Sequence, residues 1–147
     1  MQKFFILLVG FLTIACQSSL QDAQKEQAKQ MLDQGIAAYN QQHYADALTY
    51  FRQADALGHM KAGRYIGLSY LNGYGVAQDS AKAFAAFQSA AQKGDITSQY
   101  WLGYLYENGI GTTKDLTQAV SWYQKSAIRT DHVGEPAREA LKRLNMQ

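Results

Sequence analysis

Few residues in this chain have the types and spacing that chemistry requires. His43, His59 and His132 are the only histidines, and each falls near the end of a helical pattern in a separate loop. No two stand at metal-ligand spacing, and the single cysteine, Cys16, cannot complete a set with them. Ser69 lies in Gly67-Leu68-Ser69-Tyr70, which lacks the second glycine of a nucleophile elbow and sits inside a helical pattern. Gly73-Tyr74-Gly75 and Gly109-Ile110-Gly111 could suggest phosphate loops, but no lysine and serine follow at the required spacing. Among the acids, Asp79 and Asp115 stand where helices should start. Glu26, Asp33, Asp46, Asp55 and Glu107 are scattered without the matched pair that acid–base chemistry needs. The expectation is a chain with no catalytic group, no metal and no cofactor.

Cys16 carries a different chemistry. Lys3 precedes an apolar run of eleven residues, 4–14, far short of the roughly 20 residues that span a bilayer as a helix. That is the length of a signal-peptide core. The run ends on Leu12-Thr13-Ile14-Ala15-Cys16, which resembles a bacterial lipobox, although Thr13 stands where the family prefers leucine. The resemblance implies cleavage before Cys16 and acylation of its thiol; several acyl chains anchor stably where one binds marginally. Gln17, rather than an aspartate, follows the cysteine, which in such lipoproteins favours export to the outer membrane. Residues 1–15 are thus expected to be a signal peptide and 16–24, polar and free of aromatics, a short tether.

The elements that would position a site emerge on comparing the chain with itself. A shift of 36 residues carries Gly67 onto Gly103, Tyr70 onto Tyr106, Gly73 onto Gly109, Gly75 onto Gly111 and Asp79 onto Asp115. It also carries Ala47 onto Ala83, Phe51 onto Phe87 and Phe87 onto Tyr123. Each unit reads as helix, loop, helix. Gly67 and Gly103 interrupt apolar stripes, a cost of about 1 kcal/mol that close approach of a neighbouring helix would explain. Gly73 and Gly109 can stop the first helix in the left-handed conformation, and Asp79 and Asp115 can cap the second. In the segment 30–58, Gly35 precedes Ala47 by twelve residues where Gly67 precedes Ala83 by sixteen, so this unit lacks the Gly-x-Gly loop. Beyond Thr130, Pro136 suits a helix's first turn; Ala137, Ala140, Leu141 and Leu144 form an apolar face, with Arg138, Lys142 and Arg143 expected to point outward.

The leucine–glycine pair, tyrosine, Gly-x-Gly loop, aspartate and alanine-rich second helix resemble the Sel-one-like repeat, and 30–58 resembles the related tetratricopeptide repeat. The resemblance implies an all-α fold: a short right-handed solenoid of three antiparallel helix pairs with a C-terminal capping helix. The units fall at 25–58, 59–94 and 95–130, with the cap at 134–147. It also implies a scaffold that binds a protein or peptide on the concave face lined by the first helix of each unit. The family's exposed positions transfer to Leu32, Ile36 and Tyr39, to Lys61, Arg64, Leu68 and Leu71, and to Thr97, Tyr100, Tyr104 and Glu107. Aromatics dominate interface hot spots, and ten tyrosines suit such a face.

Lys plus Arg number 14 against 12 Asp plus Glu, too even a balance for a nucleic-acid groove. Two other readings remain at this level. One is an inhibitor or immunity-type protein of an envelope enzyme. The other is a cell-wall or β-lactam-related hydrolase, as implied by cysteine-rich relatives whose paired cysteines this chain lacks. With the signal peptide, the expected location is the cell envelope, lipid-anchored at Cys16, on the outer membrane facing the periplasm.

Overall fold

A computed structural model describes the backbone of residues 2–144 and the side chains of residues 17–144; the Cys16 thiol lies outside the described residues. The described residues form seven helices and no strand: α1 (Gln2–Asn40), α2 (Tyr44–Ala56), α3 (Ala62–Asn72), α4 (Ser80–Gln92), α5 (Ile96–Asn108), α6 (Leu116–Ala127) and α7 (Glu135–Arg143). Each packs on the next in the chain, giving three helix pairs and a terminal helix. This is the all-helical repeat solenoid expected. The polar stretch expected as a tether is instead helical, continuous with α1. Its glutamines, leucine and alanine are good helix formers, and an Asp22–Lys25 pair spans the turn that leads out of it. Residues 17–27 are all exposed; α1 becomes part of the core only at Ala28 and Leu32. No helix among the described residues is long and apolar enough to cross a membrane.

One contact repeats in every pair. A Cβ on Gly35 would lie 2.6 Å from the Phe51 ring; on Gly67, 2.7 Å from the Phe87 ring; on Gly103, 2.7 Å from the Tyr123 ring. All three rings are fully buried. The glycine of each first helix is therefore the socket for the aromatic of its second helix, which is why a helix interior tolerates it. Burying such a ring is worth about 3–5 kcal/mol against alanine. Around these rings lie three clusters: Leu32, Ala47, Phe51, Ala54 and Ala62; Ala83, Phe87 and Leu105; and Ala119, Tyr123, Ala137 and Ala140.

The loops follow the same period. Gly73 and Gly109 take φ of 75° and 67° and close α3 and α5. The second glycines, Gly75 and Gly111, do something turn chemistry alone does not require. A Cβ there would collide with the backbone at Tyr44–Ala45 and at Ser80–Ala81, the N-termini of the preceding units' second helices. The Gly-x-Gly loop is thus also an inter-repeat joint. Asp79 and Asp115 cap α4 and α6, accepting from the Lys82 and Gln118 amides at 3.0 and 2.9 Å. Between units, Lys93 donates to Asp55 at 2.7 Å and Arg52 to the Tyr70 hydroxyl at 2.8 Å.

Candidate functional site

The expected contact residues all belong to the first helices α1, α3 and α5 or to the turn just before α3, but they divide into two groups. Leu32 is buried, so it belongs to the core and not to a contact surface. Ile36 and Tyr39 pack against the same cluster; Leu68, Leu71 and Tyr104 pack against Phe87 and Leu105. Tyr39 stands half-buried with Tyr44 and Tyr74, ring centroids 5.3 and 5.8 Å away, and burial raises its pKa. Tyr100 lies against Tyr123 and Trp101 at 5.7 and 5.9 Å, with its phenol likewise pushed up by burial. These tyrosines are partly exposed edges of the inter-helix packing.

Glu107 requires a correction. It is 8% exposed, and both its oxygens are occupied inside the molecule. The Tyr123 hydroxyl donates to Oε2 at 2.6 Å, and the Arg143 guanidinium donates to Oε1 and Oε2 at 2.5 and 2.8 Å. The Arg143 hydrogen bonds, assisted by the one from Tyr123, hold the carboxyl below its ordinary range despite burial. Burial first, and then Glu107, drive the Tyr123 phenol strongly upward. Arg143 and Arg138, expected to point outward, both turn back. Arg138 donates to the backbone carbonyls of Ala127, Arg129 and Asp131 and to Glu135. Arg143 lies one repeat length, 36 residues, beyond Glu107. The terminal helix therefore places Arg143 in the register of a fourth first helix, although it lacks the repeat's glycine and tyrosine.

Lys61, Arg64 and Thr97 meet instead on an open cavity of about 250 Å³, together with Met60, Gly94, Asp95, Ile96, Arg129 and Val133. Positions 61, 97 and 133 are spaced by the repeat, so the cavity runs across the N-terminal ends of three successive first-helix positions. Asp95 forms its floor as the N-cap of α5: its Oδ2 accepts from the Ser98 amide at 2.9 Å and the Ser98 hydroxyl at 2.6 Å. The Asp95-x-x-Ser98 spacing is a capping pattern legible in the sequence but overlooked there. Arg64 approaches Asp95 Oδ1 at 3.6 Å, with its guanidinium carbon 5.1 Å from the Tyr65 ring centroid. Lys61 is exposed, and its charge assists burial in lowering the pKa of His59. Arg129, which the 36-residue shift aligns with Lys93, pairs with Asp131 at the rim. Among the described residues no group of His, Cys, Asp and Glu could hold a metal ion.

Comparison with known proteins bears on this geometry. The Sel1 repeat family model matches residues 62–95 and 96–131. No curated protein matches the chain. A Sel1 repeat protein from Oxalobacter formigenes superposes with a TM-score of 0.71 at 30% identity, over 78% of this chain and 46% of that one. The protein c5321, a protective antigen present in uropathogenic Escherichia coli strains and displaying an SLR fold, gives 0.71 at 30% identity over 85% of this chain and 27% of that one. This chain thus spans less than half the length of either. Helicobacter pylori cysteine rich protein B gives 0.60 at 22% identity, over 80% of this chain and 96% of that one, a likeness of fold alone. Sel1 repeat proteins are generally protein–protein interaction scaffolds. The chain thus carries two Sel1 repeats in tandem, in a fold similar to that of its Sel1 and SLR neighbours.

Proposed function

We propose that this chain is a membrane-anchored periplasmic scaffold that holds a protein or peptide partner on the face formed by its first helices. The observation that carries the reading is the convergence of Lys61, Arg64 and Thr97, drawn from two successive repeats, on one open cavity. A repeat array recognises by preformed shape, since each first helix is fixed by the glycine–aromatic socket behind it. Asp79, Glu107, Asp131 and Glu135 are all held below their ordinary range by hydrogen bonds, whereas a general acid near neutral pH needs its pKa raised. Location rests on the lipobox-like sequence before Cys16.

The experiment is a crosslinked pulldown of the full chain from envelope extracts, with membrane fractionation alongside. The reading expects one or a few stoichiometric protein partners, lost on charge reversal of Lys61. It expects Cys16→Ser to move the chain from the membrane to the soluble fraction. Capture of no protein after crosslinking would overturn the scaffold, and unchanged fractionation would overturn the anchor.

A further inference from the structure

Arg64 is an unusual cation. Its side chain is only 18% exposed, and among the described residues its guanidinium makes no hydrogen bond. The one ion pair, at 3.6 Å, is longer than the roughly 2.8 Å of a charge-assisted hydrogen bond. Both Ser98 bonds fall on Asp95 Oδ2, so a single oxygen, Oδ1, faces the Arg64 guanidinium. A guanidinium carries five N–H donors, and none of those on Arg64 is buried without a partner, so they remain accessible to an incoming acceptor. These donors line the cavity that Lys61 and Arg129 also border. Lys61 forms no ion pair among the described residues. Arg129 meets Asp131 through Nε and one Nη, which leaves its other Nη uncommitted. Against these three cations the cavity wall carries one carboxylate, Asp95, already engaged as a cap. The remaining wall is apolar: Met60, 45% exposed, with Ile96 and Val133 half-buried.

We propose that this cavity receives acidic side chains of the partner protein, from a segment in which aspartate or glutamate is flanked by apolar residues. One carboxylate satisfies the idle donors of Arg64 and the Lys61 ammonium, and a second reaches Arg129. Met60 and Val133 cover the apolar neighbours. The inference rests on the scaffold reading and deepens it, naming the chemistry that one part of the face selects. Inorganic anions fit the charge but leave the apolar rim unused.

The test is titration of the full chain with an end-blocked six-residue peptide, two glutamates flanked by leucines, against its glutamine counterpart. The glutamate peptide is expected to bind at least about tenfold tighter, the worth of one charged hydrogen bond. Its affinity should fall severalfold as salt rises from about 0.05 to 0.5 M, because exposed charges are screened within a Debye length. Lys61→Glu, at an exposed position that leaves the fold intact, should lower affinity about tenfold, and Arg129→Gln severalfold. Equal binding of the two peptides, or glutamate binding indifferent to both substitutions, overturns the proposal. So does displacement of the peptide by inorganic phosphate at an equal concentration. Such a result, beside a partner still captured in the crosslinked pulldown, removes the acidic specificity and leaves the scaffold; a pulldown that captures nothing removes the scaffold itself.

Discussion

Two arginine–carboxylate pairs sit along the first-helix face, and they are built differently. At one end Arg143 grips Glu107 with both nitrogens while Tyr123 donates to the same carboxylate from beneath. At the other, Arg64 stands 3.6 Å from Asp95 Oδ1 while Oδ2 takes both bonds from Ser98, and a cavity opens beside them. The first pair is closed, its donors and acceptors spent on fastening the terminal helix. The second is open, its cation held in place but left with donors to spare. What separates them is how the carboxylate is presented: Glu107 offers both oxygens to Arg143, whereas Asp95 turns Oδ2 to Ser98 and leaves only Oδ1 towards Arg64.

The comparison is broken most severely at its closed end. Tyr123→Ala removes the buried ring that fills the Gly103 socket together with the phenol that supports Glu107. A loss of about 3–5 kcal/mol is expected in chemical denaturation. Glu107→Ala keeps the ring but strands a buried hydroxyl, and should cost about 1–3 kcal/mol by the same measurement.

Glu107 also predicts a pH dependence. Its pKa is lower folded than unfolded, so its contribution is fully present above the ordinary carboxylate range and is lost as pH falls through the folded value. Wild-type stability should therefore drop on acidification, and Glu107→Gln should flatten that drop. An equally steep acid limb in Glu107→Gln would show that other groups set it.

At the open end the effects on stability are smaller. Asp95→Ala removes the α5 cap and leaves the Ser98 hydroxyl without its acceptor, for about 1–2 kcal/mol. Lys61→Glu should change stability by less than about 0.5 kcal/mol while weakening partner capture about tenfold. A large stability loss on Lys61→Glu would place that residue in the fabric of the fold.

How much of this was legible follows from where each interaction lies in the repeat. The helix pairs, the glycine stops and the Asp79 and Asp115 caps all recur at one shift, so the sequence displays each of them twice. The sockets were half legible: Gly67 announced a close approach, and the ring that makes it lies twenty residues on, in the second helix. The fate of Glu107 was hidden because its partner sits in a terminal helix that keeps the register without the repeat's residues. The helicity of the tether was hidden because polar composition argues against a core, not against a helix, and residues 17–24 need no core to stay helical beside the rest of α1. Lys61 and Arg64 were placed on the face by family register. That Arg64 meets Asp95 at 3.6 Å and through Oδ1 alone is a matter of angles and distances that periodicity does not carry.

The central claim is that partners meet this chain on the first-helix face at the open end. A photo-crosslinking amino acid introduced at Lys61, and separately at the exposed Gln124 of the second helix α6, addresses it in intact cells. The account predicts a discrete crosslinked protein from position 61 and none from position 124. Crosslinking from 124 with none from 61 would contradict it.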